Sequence, residues 1–392
     1  MDARTNPYSP GAGLRPRILA GREDDIENFD VLADRAQAGL TSQSIVFTGL
    51  RGVGKTVLLH ELAADADRRD WITARLEADR NDDRSTFRND VARGLSTSLR
   101  LVRGERAGGS RFRAALRTFK SFTLSVNQAG GYSFGVEVDP EQGRADTGEL
   151  YTDLTDLAID LGGAAADIGV GVAVFVDEMQ DLSKPEMSAI CRACHEAGQR
   201  SIPFFVIGAG LPNLPGQLAE AESYAERLFE YRTIDRLDPT SAREALVGPS
   251  HERGVEWTPD AESLVEEASN GYPYFIQQFG KTIWDAAPVS PITDVDARNG
   301  IVVGLEQLDR GFFAARWNRA TPVERDYLTA MATDGPGPSS SGTVASRMGK
   351  STSQLGPTRS SLIGKGIIYG PEYGVVAFTV PGMAGFIARQ HG

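Results

Sequence analysis

Ile45-Val46-Phe47-Thr48-Gly49-Leu50-Arg51-Gly52-Val53-Gly54-Lys55-Thr56-Val57-Leu58-Leu59 runs from an apolar, β-branched stretch through a glycine-rich turn into helix formers. Gly49 to Thr56 is a complete G-x4-G-K-T loop, and a strand–loop–helix setting is what that motif requires. The glycines let successive backbone N–H groups converge on an anion, and the helix N-terminus adds a partial positive charge. Gly49, Arg51, Gly52, Val53, Gly54, Lys55, Thr56 and Val57 are therefore expected around the phosphates of a nucleotide. Lys55 would reach the β- and γ-phosphates, and the Thr56 hydroxyl would ligate Mg²⁺.

Such a loop needs a partner strand carrying a carboxylate. Val172-Ala173-Val174-Phe175-Val176-Asp177-Glu178 supplies it. Five apolar residues in a row suit a strand buried on both faces of a parallel sheet. Asp177 at its C-terminal end would hold Mg²⁺, and Glu178 would polarise the water that attacks the γ-phosphate of ATP. Ligands of α/β sheets bind at that edge.

The paired motifs resemble those of AAA+ ATPases, a class of P-loop NTPases, and especially the origin-recognition and replication-initiator branch with its relatives among STAND-type signalling ATPases. Gly21-Arg22-Glu23 resembles the box that precedes the core of that branch and lines the adenine pocket. Asn270-Gly271-Tyr272-Pro273 resembles the element that opens a lid helix over the base, which implies nucleotide contacts for Gly21, Arg22, Tyr272 and Pro273. The family also places an arginine after the fourth strand that completes a neighbouring subunit's site. Arg227 is the choice here and Arg232 the alternative. Two departures stand out. The fourth strand, Pro203 to Gly210, ends in small apolar residues, with Asn213 the nearest polar candidate for a sensor, and Tyr274 to Gln278, directly after Pro273, holds no arginine. Hydrolysis is therefore expected to be slow or to depend on a partner.

The chain has 392 residues, 41% hydrophobic and 24% charged, as in ordinary globular proteins. Its net charge of −12 argues against a surface coated in nucleic acid but allows local basic faces. With no run of 18 apolar residues and no apolar leader, no membrane association and a cytoplasmic location are expected. Cys191, Cys194 and His195 spell C-x-x-C-H, read here as reduced thiols on a helix, since two cysteines make an incomplete zinc site.

Four parts are expected along the chain: an N-terminal extension over 1–17, a nucleotide-binding α/β core over 18–235, a helical lid over 236–320 and a winged helix-turn-helix over 321–392. Period-2 alternation in Phe119 to Val126 and Tyr132 to Val138, separated by Asn127 to Gly131, predicts a hairpin inserted in the core. The arginines before it form a positive stretch, from Arg100 to Lys120. Origin-binding ATPases end in a winged helix, so the resemblance implies double-stranded DNA as a partner. Arg347, Lys350, Gln354, Thr358, Arg359 and Lys365 are the residues placed to meet it. The expected function is an ATP-binding and hydrolysing switch, alone or as a homo-oligomer or with a partner ATPase. A signalling or defence ATPase, or a transposition helper, stands as the alternative. In the signalling type the winged domain folds back on the nucleotide site.

Overall fold

The computed structural model describes residues 1–79, 86–100, 109–124 and 139–391. Helix α1 (Glu23–Gln37) precedes β1 (Ser44–Thr48), and the glycine loop leads into α2 (Lys55–Arg68). There follow β2 (Ile72–Glu77), α3 (Thr86–Leu99), α4 (Ser110–Leu124), α5 (Leu150–Asp167), β3 (Val172–Asp177) and α6 (Lys184–Gln199). Next come β4 (Phe204–Gly210), α7 (Leu214–Ala221), α8 (Ala225–Leu228) and β5 (Phe229–Thr233). These five strands form one parallel sheet in the order β2-β3-β4-β1-β5.

The apolar runs read from the sequence are the central strands. β1 and β4 are buried along their whole length, and β3 is buried up to Asp177. Leu58 and Leu62 of α2, Val91 and Leu95 of α3, Phe119 and Phe122 of α4, Leu157 and Leu161 of α5 and Ile190 of α6 close over the sheet in one core. Sheet order places β1 and β3 on either side of β4. Their C-terminal ends carry the glycine loop and Asp177, so the two motifs meet at one edge.

The predicted inserted hairpin fails in its first arm. Phe119 to Leu124 belongs to α4, where Phe112, Ala115, Phe119 and Phe122 are buried at three- and four-residue spacing. Eight residues satisfy a period of two by chance; the preceding turn reveals the helical period. The second arm lies outside the described residues, as do Arg103 and Arg106 of the basic stretch. Within that stretch Arg111 pairs with Asp167 at 2.9 Å and Arg117 with Glu141 at 2.9 Å.

A second core joins α9 (Pro239–His251), α10 (Pro259–Ser269), α11 (Pro273–Ala286) and α12 (Asp294–Gln307) to the residues that follow. A π-helical segment, Leu308–Phe313, runs directly into α13 (Ala314–Arg319). Beyond it are α14 (Pro322–Ala332), β6 (Ser339–Ser340), α15 (Ser341–Arg347), α16 (Thr352–Gly364), β7 (Ile368–Tyr369), β8 (Val375–Phe378) and α17 (Met383–His391). The short strands pair antiparallel in the order β6-β8-β7. Four helix starts carry local cap chemistry. Asp238 and Thr258 cap helices that begin with proline, and Thr321/Glu324 and Ser351/Gln354 close reciprocal capping boxes.

One buried ion pair ties the helical layer together. The Asp153 side chain is fully buried, pairs with Arg88, and accepts from Thr147 N at 3.0 Å, Thr147 Oγ1 at 2.7 Å and Gly148 N at 3.0 Å. Removing the carboxylate strands a buried guanidinium. Asp153→Ala is expected to cost about 3–5 kcal/mol in urea unfolding of the full chain. A loss under about 1 kcal/mol would contradict this assignment.

Candidate active site

The glycine loop turns from β1 into α2 with Gly54 in the left-handed region at φ 96°. Its first glycine is fixed by crowding: a Cβ on Gly49 would lie 2.0 Å from the Ile234 carbonyl oxygen. Around the loop opens a cavity of about 730 Å³. Of the residues expected at the nucleotide, Arg22, Arg51, Gly52, Val53, Gly54, Lys55, Thr56, Val57, Asp177, Glu178 and Pro273 line it; Gly21, Gly49 and Tyr272 do not.

The two motifs are bonded to each other. Thr56 Oγ1 donates to Asp177 Oδ2 at 2.6 Å. Lys55 Nζ donates to the carbonyls of Gly49 at 2.8 Å and Leu50 at 2.9 Å. Burial pulls the Lys55 pKa down to about 8, against the opposing pull of Glu178 and Asp177. Glu178, at φ 48°, is held from two sides. Arg51 Nη2 donates to its Oε2 at 3.0 Å, and Gln180 Nε2 donates to the same oxygen at 2.5 Å. Gln180 is itself fixed, accepting from Leu211 N at 2.9 Å.

That bond explains the bare end of β4. A Cβ on Gly208 would lie 2.5 Å from Met179 Sδ, and one on Gly210 would lie 2.7 Å from Gln180 Oε1. The small residues are there because side chains following β3 fill the space. Asn213, the sequence's candidate sensor, starts α7 and does not line the cavity. Gln180 holds the place a polar residue of β4 would take.

The oxygen set suits a hard cation. Thr56 and Asp177 present adjacent oxygens, and Glu77 of β2, in register with Asp177, adds a second carboxylate nearby. Partial desolvation first, and then the charges of Asp177 and Glu178, push the carboxyl of the exposed Glu77 above its ordinary range. This excess of negative charge is what a divalent ion would relieve.

Several expected contacts take other roles. The Arg22 guanidinium donates to the carbonyls of Gly21 at 2.7 Å, Val53 at 2.9 Å and Asp235 at 2.8 Å. It cross-links the glycine loop to the chain leaving β5 and so shapes the cavity instead of offering itself to a base. Gly21 lies against Ser241, and Tyr272 caps α11 beside Phe275. Arg227 is exposed near the start of β5. The strands are parallel, so the length of β5, about 16 Å, separates it from the edge that holds the loop. Arg232 is committed to Asp25 at 2.6 Å and Glu230 at 3.2 Å. Cys191 and Cys194 are free, buried thiols on α6.

Other cavity residues gave no motif to find. Ser9 to Leu14 lines one wall, and Tyr8 is buried with its hydroxyl donating to the Leu246 carbonyl. The N-terminal extension is thus part of the site. Arg316 of α13 and Phe312 of the π segment line it from the far side.

The last strands also reach the loop. Arg51 N donates to the Thr379 carbonyl at 2.9 Å, and Leu50 packs with Leu211, Tyr369 and Ala377. Of the six residues expected at DNA, Arg347 pairs with Asp334 and donates to the Ala330 carbonyl at 2.7 Å. Lys365 donates to Glu324 at 2.6 Å, and Arg359 to the Val375 carbonyl at 3.4 Å. Gln354 closes the α16 capping box, Lys350 is exposed and Thr358 is half-buried.

Glu324 is a buried hub that also accepts from Ser361 Oγ and Thr321 N, both at 2.6 Å. Burial pushes its pKa up, but the bonds from Lys365, Ser361 and Thr321 outweigh it and hold it at about 2. A carboxylate lowered on folding contributes stability that is present above its unfolded pKa and lost as pH falls through the folded one. Glu324→Gln is expected to lower the melting temperature at pH 7, and the gap from wild type should close between about pH 4.5 and pH 2. A gap independent of pH would contradict the assignment.

Comparison with known proteins bears on the domain and the fold. Residues 18–207 match a family model described as an AAA ATPase domain, which supports NTPase activity in general. Residues 310–387 match one described as a domain of unknown function. A search of curated proteins finds no match. Among solved structures, the Walker-type ATPase PABY2304 of Pyrococcus abyssi shares the fold at 16% identity and TM-score 0.56, over 95% of this chain and 97% of that one. The Aeropyrum pernix ORC1 protein in complex with DNA aligns at 14% identity and TM-score 0.47, over 96% and 94% of the two chains. The Thermotoga maritima RuvB Holliday junction branch migration motor aligns at 16% and 0.45, over 93% and 96%. No helix among the described residues is long and apolar enough to cross a membrane.

Proposed function

We propose that the protein is an ATP-hydrolysing switch whose C-terminal unit, a winged helix, is coupled to the phosphate loop. One observation carries this reading: Lys55, Thr56, Asp177 and Glu178 meet in a single cavity, with Thr56 bonded to Asp177 at 2.6 Å. The loop amides and Lys55 would cradle the phosphates. Thr56 and Asp177 would hold Mg²⁺, which supplies positive charge against the phosphate oxygens. Glu178 would orient the water and take its proton as the water oxygen bonds to the γ-phosphorus and the bond to ADP breaks. While Arg51 neutralises Glu178, that base is restrained, which fits slow basal turnover. An arginine such as Arg227 from a neighbouring copy would complete the site in an oligomer.

Full-chain protein should bind ATP with Mg²⁺ and hydrolyse it slowly. Lys55→Ala should lose binding, and Glu178→Gln should bind but lose turnover by about 100-fold or more. Normal ATP binding by Lys55→Ala would refute the site.

The DNA reading and the signalling reading divide on the C-terminal unit. Contact of Tyr369, Ala377 and Thr379 with the loop favours a fold-back switch in this state. The exposed start of α16 and Lys350 leave a surface for the DNA reading. With Arg347 and Lys365 in internal ion pairs, few phosphate contacts remain. DNA affinity should therefore fall only weakly with salt, with a log–log slope of about −2 to −3, and should rise with ATP. Absence of binding at low salt in both nucleotide states would leave the signalling reading.

A further inference from the structure

Arg316 has no family motif around it and no partner that explains its burial. It leaves the π-helical segment at the start of α13 and points its guanidinium into the cavity that holds Lys55 and Glu178. π-helical turns recur at functional sites because the extra residue re-aims the side chains that follow. Here that segment builds a column. The Arg316 guanidinium lies 4.4 Å from the centre of the Phe312 ring, and Phe312 stacks on Tyr274 at 4.8 Å and 24°. Tyr274 N donates in turn to the Gly52 carbonyl of the phosphate loop at 3.3 Å. Arg316 is thus seated above the loop on a stack of rings.

Its charge is unanswered. Arg316 donates one bond, from Nη1 to the Phe312 carbonyl at 2.6 Å. Among the described residues, no carboxylate lies within ion-pair distance of it. Its charged neighbours are Arg51 and Arg319, with Glu178 a weaker opposing influence; burial first, and then the two cations, pull its pKa down to about 10. A half-buried arginine facing other cations is costly unless an anion enters the space between them.

We propose that Arg316 binds the terminal phosphate of ATP and so makes the site distinguish ATP from ADP. This rests on the nucleotide reading above and deepens it. ADP, held by Lys55 and the loop amides, stops short of Arg316; the additional phosphate of ATP fills the gap between Arg316 and Arg51. It also draws Arg51 away from Glu178, which frees the base. Because α13 leads directly into α14, the same contact pulls on the C-terminal unit when ATP is bound. The role expected of an arginine near Pro273 is filled from α13, at the far end of the lid.

The test uses the full chain with Mg²⁺ and calorimetric Kd values for ADP and for a non-hydrolysable ATP analogue. Wild type, Arg316→Met, Arg316→Lys and Lys55→Ala are compared, each first checked for an unchanged melting temperature without nucleotide. Arg316→Met keeps the stem over Phe312 and removes the charge. It is expected to weaken the analogue by about tenfold or more, the worth of a charge-assisted bond, and to leave ADP within about twofold. Arg316→Lys should recover part of the loss. Equal weakening of both ligands would mean that Arg316 only shapes the cavity, and no change in either would mean that it touches neither; each overturns the proposal. Lys55→Ala separates the two levels of the argument. If it binds both ligands as wild type does, the nucleotide site itself is wrong. If it loses both while Arg316→Met changes nothing, the site stands and the role of Arg316 falls.

Discussion

The contact on which everything else depends is the 2.6 Å hydrogen bond from Thr56 to Asp177. It joins residues far apart in sequence, and it forms because β1 and β3 are parallel strands flanking β4. Parallel order brings their C-terminal ends to one edge, and full burial of the strands fixes their register. The loop, the carboxylates and the cavity then follow from where those two strands end. A β4 of small residues at its tip is part of the same constraint, since Met179 and Gln180 must pass over it to hold Glu178 in place.

Charge is distributed so that the resting site restrains itself. Glu77, Asp177 and Glu178 gather at one edge, and the cations that answer them are loop residues, Lys55 and Arg51. Lys55 is satisfied by the loop's own carbonyls and Arg51 by Glu178. Only an incoming polyphosphate with its metal ion offers both cations a better anion. The C-terminal strands rest on the same loop through Leu50 and the amide of Arg51, so any rearrangement of Arg51 is felt there. Chemistry and the position of the last unit share one residue.

Much of this was legible in the sequence, and what was not has physical causes. Gly49 to Thr56 and Val172 to Glu178 announced themselves because phosphate cradling and buried parallel strands each demand a local pattern. Helix starts at Asp238, Thr258, Thr321 and Ser351 were equally readable, since capping is decided within four residues. The failed first arm of the 119–138 hairpin came from too short a window: Phe122 and Leu124 alternate as in a strand, while the three-residue step from Phe119 to Phe122 belongs to the helix. The bonds of Arg22 could not be read, because its carbonyl partners, Val53 and Asp235, lie far from it in sequence. Gln180 and Arg316 were missed because nothing local marks a side chain whose meaning depends on the loop or strand it meets after folding. Arg347 and Lys365 looked free for the same reason: their partners, Asp334 and Glu324, stand on another helix or the turn after it.

The account's central claim is that nucleotide at the glycine loop is felt by the strands that rest on it. Hydrogen exchange at the backbone amides of Ile367 to Thr379 measures this directly, in Glu178→Gln protein with and without an ATP analogue and Mg²⁺. The account predicts that the analogue changes protection in this segment and that Lys55→Ala abolishes the change. Saturating nucleotide binding with protection in the segment unaltered would contradict it.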